Sequence, residues 1–420
     1  MKVLIVGGGG REHALAWKIR QSPLVDKLYC APGNGGIASL AQCVPIKATD
    51  IVGMVNFAKT EKIDLVMVAP DDPLAAGMVD ALQNAGVRAF GPVRAAAEIE
   101  SSKAFSKGLM KKYNIPTAGY EVFDDSDAAT AYLSRVSYPA VIKADGLALG
   151  KGVVIAQNHD EAVKAVHDMM SVKMFGSAGD RIVIEEFLRG PEVTILAFTD
   201  GKTLVPMMSS QDHKRALDND MGLNTGGMGT FSPSRLYTKE INDYCTENIF
   251  RPTVEAMNRE GRKFKGILYF GLMLTEDGPK VIEYNSRFGD PEAQVVLPAL
   301  KTDLVEIFNA IIDERLDSVK IEWDDKAAVC VILASGGYPV KYAAGLEISG
   351  LAEAEKDPDV IIFHAGTKLE DGKYYTAGGR VLGVTAVADT MERAREKAYA
   401  AVKKVSFEGM HYRTDIGIKK

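Results

Sequence analysis

Cysteine is scarce in this chain, and histidine is little commoner. Cys30, Cys43, Cys245 and Cys330 are four cysteines scattered through 420 residues without a CxxC pair. Such usage excludes a disulfide-stapled domain and predicts reduced thiols acting as small hydrophobes. The six histidines show no HxxxH or similar spacing, so no zinc centre is expected and a hard, oxygen-ligated cation fits better. Positive charge is not in excess either: 50 Lys and Arg stand against 56 Asp and Glu, a net charge of -6. That excludes a nucleic-acid binder working through a broad basic surface, while leaving room for a local positive pocket around phosphates. No apolar run approaches membrane-spanning length. Lys2 precedes only Val3-Leu4-Ile5-Val6, too short for a signal-peptide core, which predicts a cytoplasmic protein with no membrane contact. Internal repeats and low-complexity tracts are also missing.

What is present is a globular composition, 46% hydrophobic and 25% charged, long enough for roughly two to four domains. Up to about residue 100, short apolar runs (Val3 to Val6, Leu65 to Val68) alternate with helical stretches from about Glu12 and through Met78 and Leu82. That alternation predicts a parallel, Rossmann-like α/β domain. Its first turn, Gly7-Gly8-Gly9-Gly10-Arg11-Glu12-His13, invites a dinucleotide reading, but Glu12 occupies the third glycine position and the second strand ends in Ala31-Pro32-Gly33-Asn34 without a ribose-binding acid. An anion site for a phosphorylated metabolite or a structural glycine turn remains. If the second strand is adjacent, Gly33, Asn34 and Gly35 lie beside that turn.

Further along, strands through Lys143 and from Val153 flank the glycine loop Gly146-Leu147-Ala148-Leu149-Gly150-Lys151-Gly152. Three residues between the glycines and a glycine after the lysine exclude a Walker A loop, leaving a phosphate flap. Gly201-Lys202-Thr203 has Leu196 at the upstream glycine position of a phosphate loop, and Asp200-Gly201 reads as a hairpin turn. Arg181 to Leu188 is a strand ending in acids, and its run into a linker could meet an adenine through the backbone. The polar, glycine-rich stretch from Ser210 to Gly229 is irregular in pattern, as functional loops are. Strand patterns at Ala328 to Leu333, Val360 to Phe363 and Arg380 to Val387, with a helix from about Met391 to Val405, predict a smaller α+β unit at the end.

The densest chemistry lies in Val281-Ile282-Glu283-Tyr284-Asn285-Ser286-Arg287-Phe288-Gly289-Asp290-Pro291-Glu292. Its apolar start forms a hairpin with Gly266 to Leu274 across Glu276-Asp277-Gly278-Pro279. Strand alternation would put Val281, Glu283 and Asn285 on one face. Two oxygen ligands at that spacing suit magnesium.

Arg287 to Glu292 with Gln294 resembles the signature of the glycinamide ribonucleotide synthetases (phosphoribosylamine–glycine ligases), a family of the ATP-grasp superfamily. So do Gly8 to His13, Lys143-Ala144-Asp145-Gly146, Gln211 to Arg215, Asn224 to Gly229, Gly379 to Val384 and Tyr412 to Gly417. The resemblance spans essentially the whole chain. It departs from the family pattern at Ala69 and Asp71, where glycine and glutamate are usual, and at Leu223, where proline is usual.

The resemblance implies three parts: a substrate-binding α/β domain over 1–100, an ATP-grasp domain over 101–325 with a mobile flap at about 120–190, and an α+β domain over 326–420. It implies ligation of glycine to 5-phosphoribosylamine through glycyl phosphate at the expense of ATP; another ATP-grasp carboxylate–amine ligase is the alternative. Glu283 and Asn285 would hold Mg2+, or Mn2+ in its place. ATP would meet Lys103, Lys143, Lys151, the hinge Glu185-Glu186-Phe187-Leu188 and, at the ribose, Glu192. Arg287 would grip the glycine carboxylate or acyl phosphate, and Asp290 or Asp212 its ammonium. Phosphoribosylamine would lie on the loops of Gly9, Gly10, Arg11 and Glu12 and of Gly33, Asn34 and Gly35, and Lys214 would contact substrate. The partners would be these small molecules, with no nucleic acid, in a monomer or weak homo-oligomer.

Overall fold

The computed structural model describes residues 1–148 and 152–418. Its first sheet has five parallel strands, in the order Gln42–Cys43, Lys27–Pro32, Lys2–Gly7, Leu65–Val68 and Ala89–Phe90. The unbroken apolar run of the central strand is explained by burial on both faces. Leu4 and Val6 pack with Met54, Met78 and Leu82, while Val3 and Ile5 join the cluster of Leu15, Ile19 and Phe308. The parallel α/β expectation holds.

The flap is a four-stranded antiparallel sheet, ordered Tyr120–Phe123, Ile182–Glu186, Ala140–Ala144 and Val153–Ala156. Ile182 and Ile184 point into a layer with Ala129, Ala162 and Val166. Alternation therefore turns Glu185 to the opposite face, toward the cleft. The strand that ends in Glu186 is interior to the sheet, with Tyr120–Phe123 on one side and Ala140–Ala144 on the other.

Across the cleft lies a second antiparallel sheet, ordered Leu204–Pro206, Glu192–Thr199, Gly266–Thr275 and Gly278–Asn285. The hairpin through Glu276 and Asp277 forms as expected. The shared face does not. Gly271 pairs with Glu283 and Leu272 with Val281, so Ile282 is an extra residue in a bulge. Such a bulge shifts the in-and-out alternation by one position. Val281 and Tyr284 both enter the core with Phe270 and Phe250, and Glu283 and Asn285 emerge on the other side.

The last large sheet is ordered Gln211–Asp212, Gly229–Ser232, Ala327–Ala334, Arg380–Ala388 and Val360–His364. Two of its strands come from the middle of the chain, so the C-terminal unit is completed by residues about a hundred positions upstream. The polar stretch between them folds into the ribbon Arg215–Leu217 and Met221–Asn224. Among the described residues, no helix is long and apolar enough to cross a membrane.

Candidate active site

The bulge delivers Glu283 and Asn285 to the cleft together. Gly271 gives the acid its room: a Cβ there would stand 2.9 Å from the Glu283 Cγ. Lys214 Nζ sits between Glu192 Oε2, at 2.9 Å, and Glu283 Oε1, at 3.5 Å. Desolvation opposes both charges, but Lys214 holds the Glu283 carboxyl below its usual range, helped by Lys143, Lys103 and Arg287. In turn Glu192 and Glu283 raise the Lys214 ammonium well above the usual lysine range. Asn285 Oδ1 accepts from Arg287 Nη2 at 3.3 Å, which orients the amide. An ionised carboxylate and an oriented amide oxygen on one face form a donor set that fits a hard cation. Among the described residues no group of three or more His, Cys, Asp or Glu makes a closed cage. A metal held by Glu283 and Asn285 would therefore draw other ligands from water and nucleotide phosphates.

On the flap side, Lys143 Nζ lies 2.9 Å from Glu185 Oε1 and donates to the Ile282 carbonyl at 3.2 Å. Lys107 reaches the other oxygen, Oε2, at 2.8 Å. Burial pushes the Lys107 ammonium down to about 8, although Glu185 pulls the other way. Lys103, at the start of the helix Lys103–Lys112, donates to the Gly146 carbonyl at 3.2 Å. Desolvation, then the nearby Lys143, lowers it. Asp145 secures the flap to that helix by accepting from the Ala104 N–H at 2.7 Å and the Ser102 hydroxyl at 3.0 Å. At the hinge, Glu186 is paired with Gly119 through both backbone and side chain, at 2.9 Å in each case. Phe187 and Leu188 follow the strand outside the sheet pairing. Lys151 lies outside the described residues.

Arg287 is mostly buried, and its partner is neither Asp290 nor open solvent. Nη2 is 3.0 Å from Glu100 Oε1 and 3.9 Å from Asp71 Oδ2. Burial raises the Glu100 pKa against the pull of Arg287, and its other oxygen accepts from the Ser286 N–H at 2.8 Å and hydroxyl at 2.7 Å. Asp290 belongs to a different arginine, Arg380, whose Nη2 is 3.3 Å from Oδ1 and whose Nη1 donates to the Asp290 carbonyl at 2.7 Å. Arg380 also donates to the Gly226 carbonyl. Gln294 and the Arg11 N–H complete the Asp290 shell at 2.9 and 3.3 Å. Burial opposes its ionisation, yet Arg380 and Arg11 hold Asp290 below the usual range. Asp212 faces Gly227: a Cβ on that glycine, whose φ is +111°, would stand 2.7 Å from Asp212 Oδ1 and 2.6 Å from Pro291 Cδ.

The first-domain loops meet this same edge. Gly33 N–H donates to Gly7 at 3.0 Å, and Asn34 Nδ2 to the Gly8 carbonyl at 2.9 Å and the His364 carbonyl at 2.8 Å. Gly35 N–H donates to Thr367 at 3.0 Å. A Cβ on Gly10 would stand 2.6 Å from Gln294 Nε2, so a side chain there would force the loops apart. Glu12 is occupied locally: it accepts the Gly9 N–H at 2.6 Å and pairs with Arg11 Nε at 2.7 Å. Arg11 Nη1 donates onward to the Phe288 carbonyl at 3.1 Å.

Lys107, Glu100, Arg380 and Gln294 thus join the predicted residues. Arg380 and Gln294 lie inside motifs already singled out; Lys107 and Glu100 carry no such local mark.

A four-stranded flap facing an antiparallel sheet, with lysines on one wall and a carboxylate–amide pair on the other, defines an ATP-grasp fold. The biotin carboxylase of Campylobacter jejuni shares that fold at a TM-score of 0.75 over 98% of this chain and 92% of its own, with 14% identity. Within that class the chain belongs to the phosphoribosylglycinamide synthetase family: the N-domain model matches residues 1–100, the ATP-grasp (A) domain 101–293 and the C domain 328–419. The phosphoribosylamine–glycine ligase of Caldanaerobacter subterraneus subsp. tengcongensis is 49% identical over 416 residues, covering 99% of each chain. A solved phosphoribosylamine–glycine ligase from Thermotoga maritima matches at a TM-score of 0.83 and 33% identity, over 99% of this chain and all of the other.

Proposed function

We infer that the chain is an ATP-dependent ligase of purine biosynthesis that joins glycine to 5-phosphoribosylamine, giving glycinamide ribonucleotide, ADP and phosphate. The observation that carries the geometric side of this reading is the junction at Asp290. There the Arg11 N–H, in the first turn of the helix that follows the first-domain glycine loop, meets the segment that follows Glu283 and Asn285. A phosphate-binding loop and a phosphoryl-transfer edge in direct contact suit a reaction in which a phosphorylated amine must reach an activated acid.

Carboxylates are poor electrophiles, so activation comes first. A glycine carboxylate oxygen attacks the γ-phosphorus, ADP leaves, and glycyl phosphate forms. The amine nitrogen of phosphoribosylamine then attacks the acyl carbon, the C–O bond to phosphate breaks, and the nitrogen loses a proton. Lys143 and Lys103 contact the nucleotide phosphates as point charges, and the hinge backbone at Glu186 to Leu188 meets the adenine. Glu283 and Asn285 would hold Mg2+, which when bound would supply charge neutralisation at the phosphoryl group. Arg287, anchored by Glu100, grips the carboxylate or acyl phosphate. Asp290, engaged by Arg380, Gln294 and the Arg11 N–H, ties the loops together, and Asp290 or Asp212 takes the glycine ammonium. Gly9, Gly10, Gly33, Asn34 and Gly35 cradle the second substrate. The second step needs orientation more than a strong base.

ADP release from purified enzyme should require both glycine and phosphoribosylamine. Turnover with a different acid and none with glycine would overturn the reading in favour of another ligase of this fold.

A further inference from the structure

Lys107 and Glu185 are almost wholly enclosed, with side-chain exposures of 2% and 3%. One carboxylate here clamps two ammonium groups, Lys107 at 2.8 Å and Lys143 at 2.9 Å. Lys107 also donates to Thr117 Oγ1 at 2.8 Å, and that hydroxyl donates to the Val281 carbonyl at 2.7 Å. Lys143 donates to the next carbonyl, Ile282. Both lysines are therefore tied to successive peptide groups of the strand that carries Glu283.

Burying an ion pair is costly unless its geometry is well satisfied, and a second buried cation adds to that cost. A purely structural pair would need one lysine for one carboxylate. With two, the group keeps one uncompensated positive charge, and Lys143 is the member at the mouth of the flap. We propose that Lys107 is a positioning residue for phosphoryl transfer: by sharing Glu185 it keeps the Lys143 ammonium from being neutralised, leaving its charge available to the nucleotide phosphates. This rests on the assignment of Lys143 to those phosphates. The Glu185 side chain then has a task separate from the adenine, which the hinge meets through its backbone.

The arrangement makes a charge-balance prediction. In K107M the carboxylate belongs to Lys143 alone and the local charge falls to zero, so KM for ATP should rise about tenfold while KM for glycine holds. In K107M/E185Q one positive charge returns, and KM for ATP should recover to within about threefold of wild type. An unchanged KM for ATP in K107M, or a double variant no better than K107M, overturns the proposal. Should K107M fail to fold, the double variant decides alone: recovery to within about threefold supports the inference, and a tenfold defect sinks it. K143M separates the two levels. An unchanged KM for ATP there removes the phosphate assignment and this inference with it, whereas a defect in K143M beside a silent K107M removes the inference alone.

Discussion

Acidification should loosen the seam between the first and last domains, and the loss can be worked from one histidine pair. His13, on the helix Gly10–Ile19, accepts the His364 backbone N–H at Nδ1 over 2.7 Å. A ring nitrogen that accepts cannot also carry a proton. Burial, then the neighbouring His364, depresses His13 from 6.5 to about 3, and burial lowers His364 to about 4. Because the folded values are depressed, the unfolded chain takes up protons first as pH falls. The stability due to the neutral rings is complete above the unfolded value of 6.5 and is lost progressively toward the folded values. At about 1.4 kcal/mol per pH unit for each group, a fall from about pH 6.5 to about 4.5 costs roughly 2–3 kcal/mol for His13 alone. His13→Gln keeps an oxygen that can accept the same N–H but does not titrate. Trp17, whose ring centroid is 6.0 Å from that of Phe363, reports on the same seam by fluorescence. In urea unfolding, wild type should lose about 2 kcal/mol more than His13→Gln across that interval. Parallel losses in the two proteins would refute the reasoning.

Two further substitutions test the cleft. Glu283→Gln should abolish ADP release while circular dichroism stays native, and Mn2+ affinity in the presence of ADP should fall at least about tenfold; full activity would take Glu283 out of the metal site. Arg380→Met leaves Asp290 without its arginine partner and should lower kcat/KM for glycine by about 10–100-fold with little change in KM for ATP. Equal losses for both substrates would mean that Arg380 acts on the fold and not on the acid site.

Local pattern made much of this molecule legible. The central strands of the parallel sheet, three of the four flap strands and the central hairpin each lie in apolar runs, and Glu283 and Asn285 stand two apart in one strand. The bulge at Ile282 was not legible, because alternation read from Val281 assumes an unbroken ladder; the spacing of Val281 and Tyr284, both apolar in bulk, was the trace it left. Lys107 lies among Lys103, Lys111 and Lys112 on one helix and looks like another solvated lysine until Glu185 is folded over it. Glu100 and Arg380 gain their meaning from Arg287 and Asp290, which are about 190 and 90 positions away. Long-range pairing of single charges has no period for a sequence to display.

The sheet that Gln211–Asp212 and Gly229–Ser232 complete has a consequence for taking the protein apart. A cut near residue 326 would look like a clean excision of an ATP-using core, yet it would strip the ladder partner Ala327–Ala334 from Gly229–Ser232. The strand bearing Asp212 would then hang from an open edge. The catalytic core is therefore not a transplantable module: in any fusion or truncation, the C-terminal unit must travel with it.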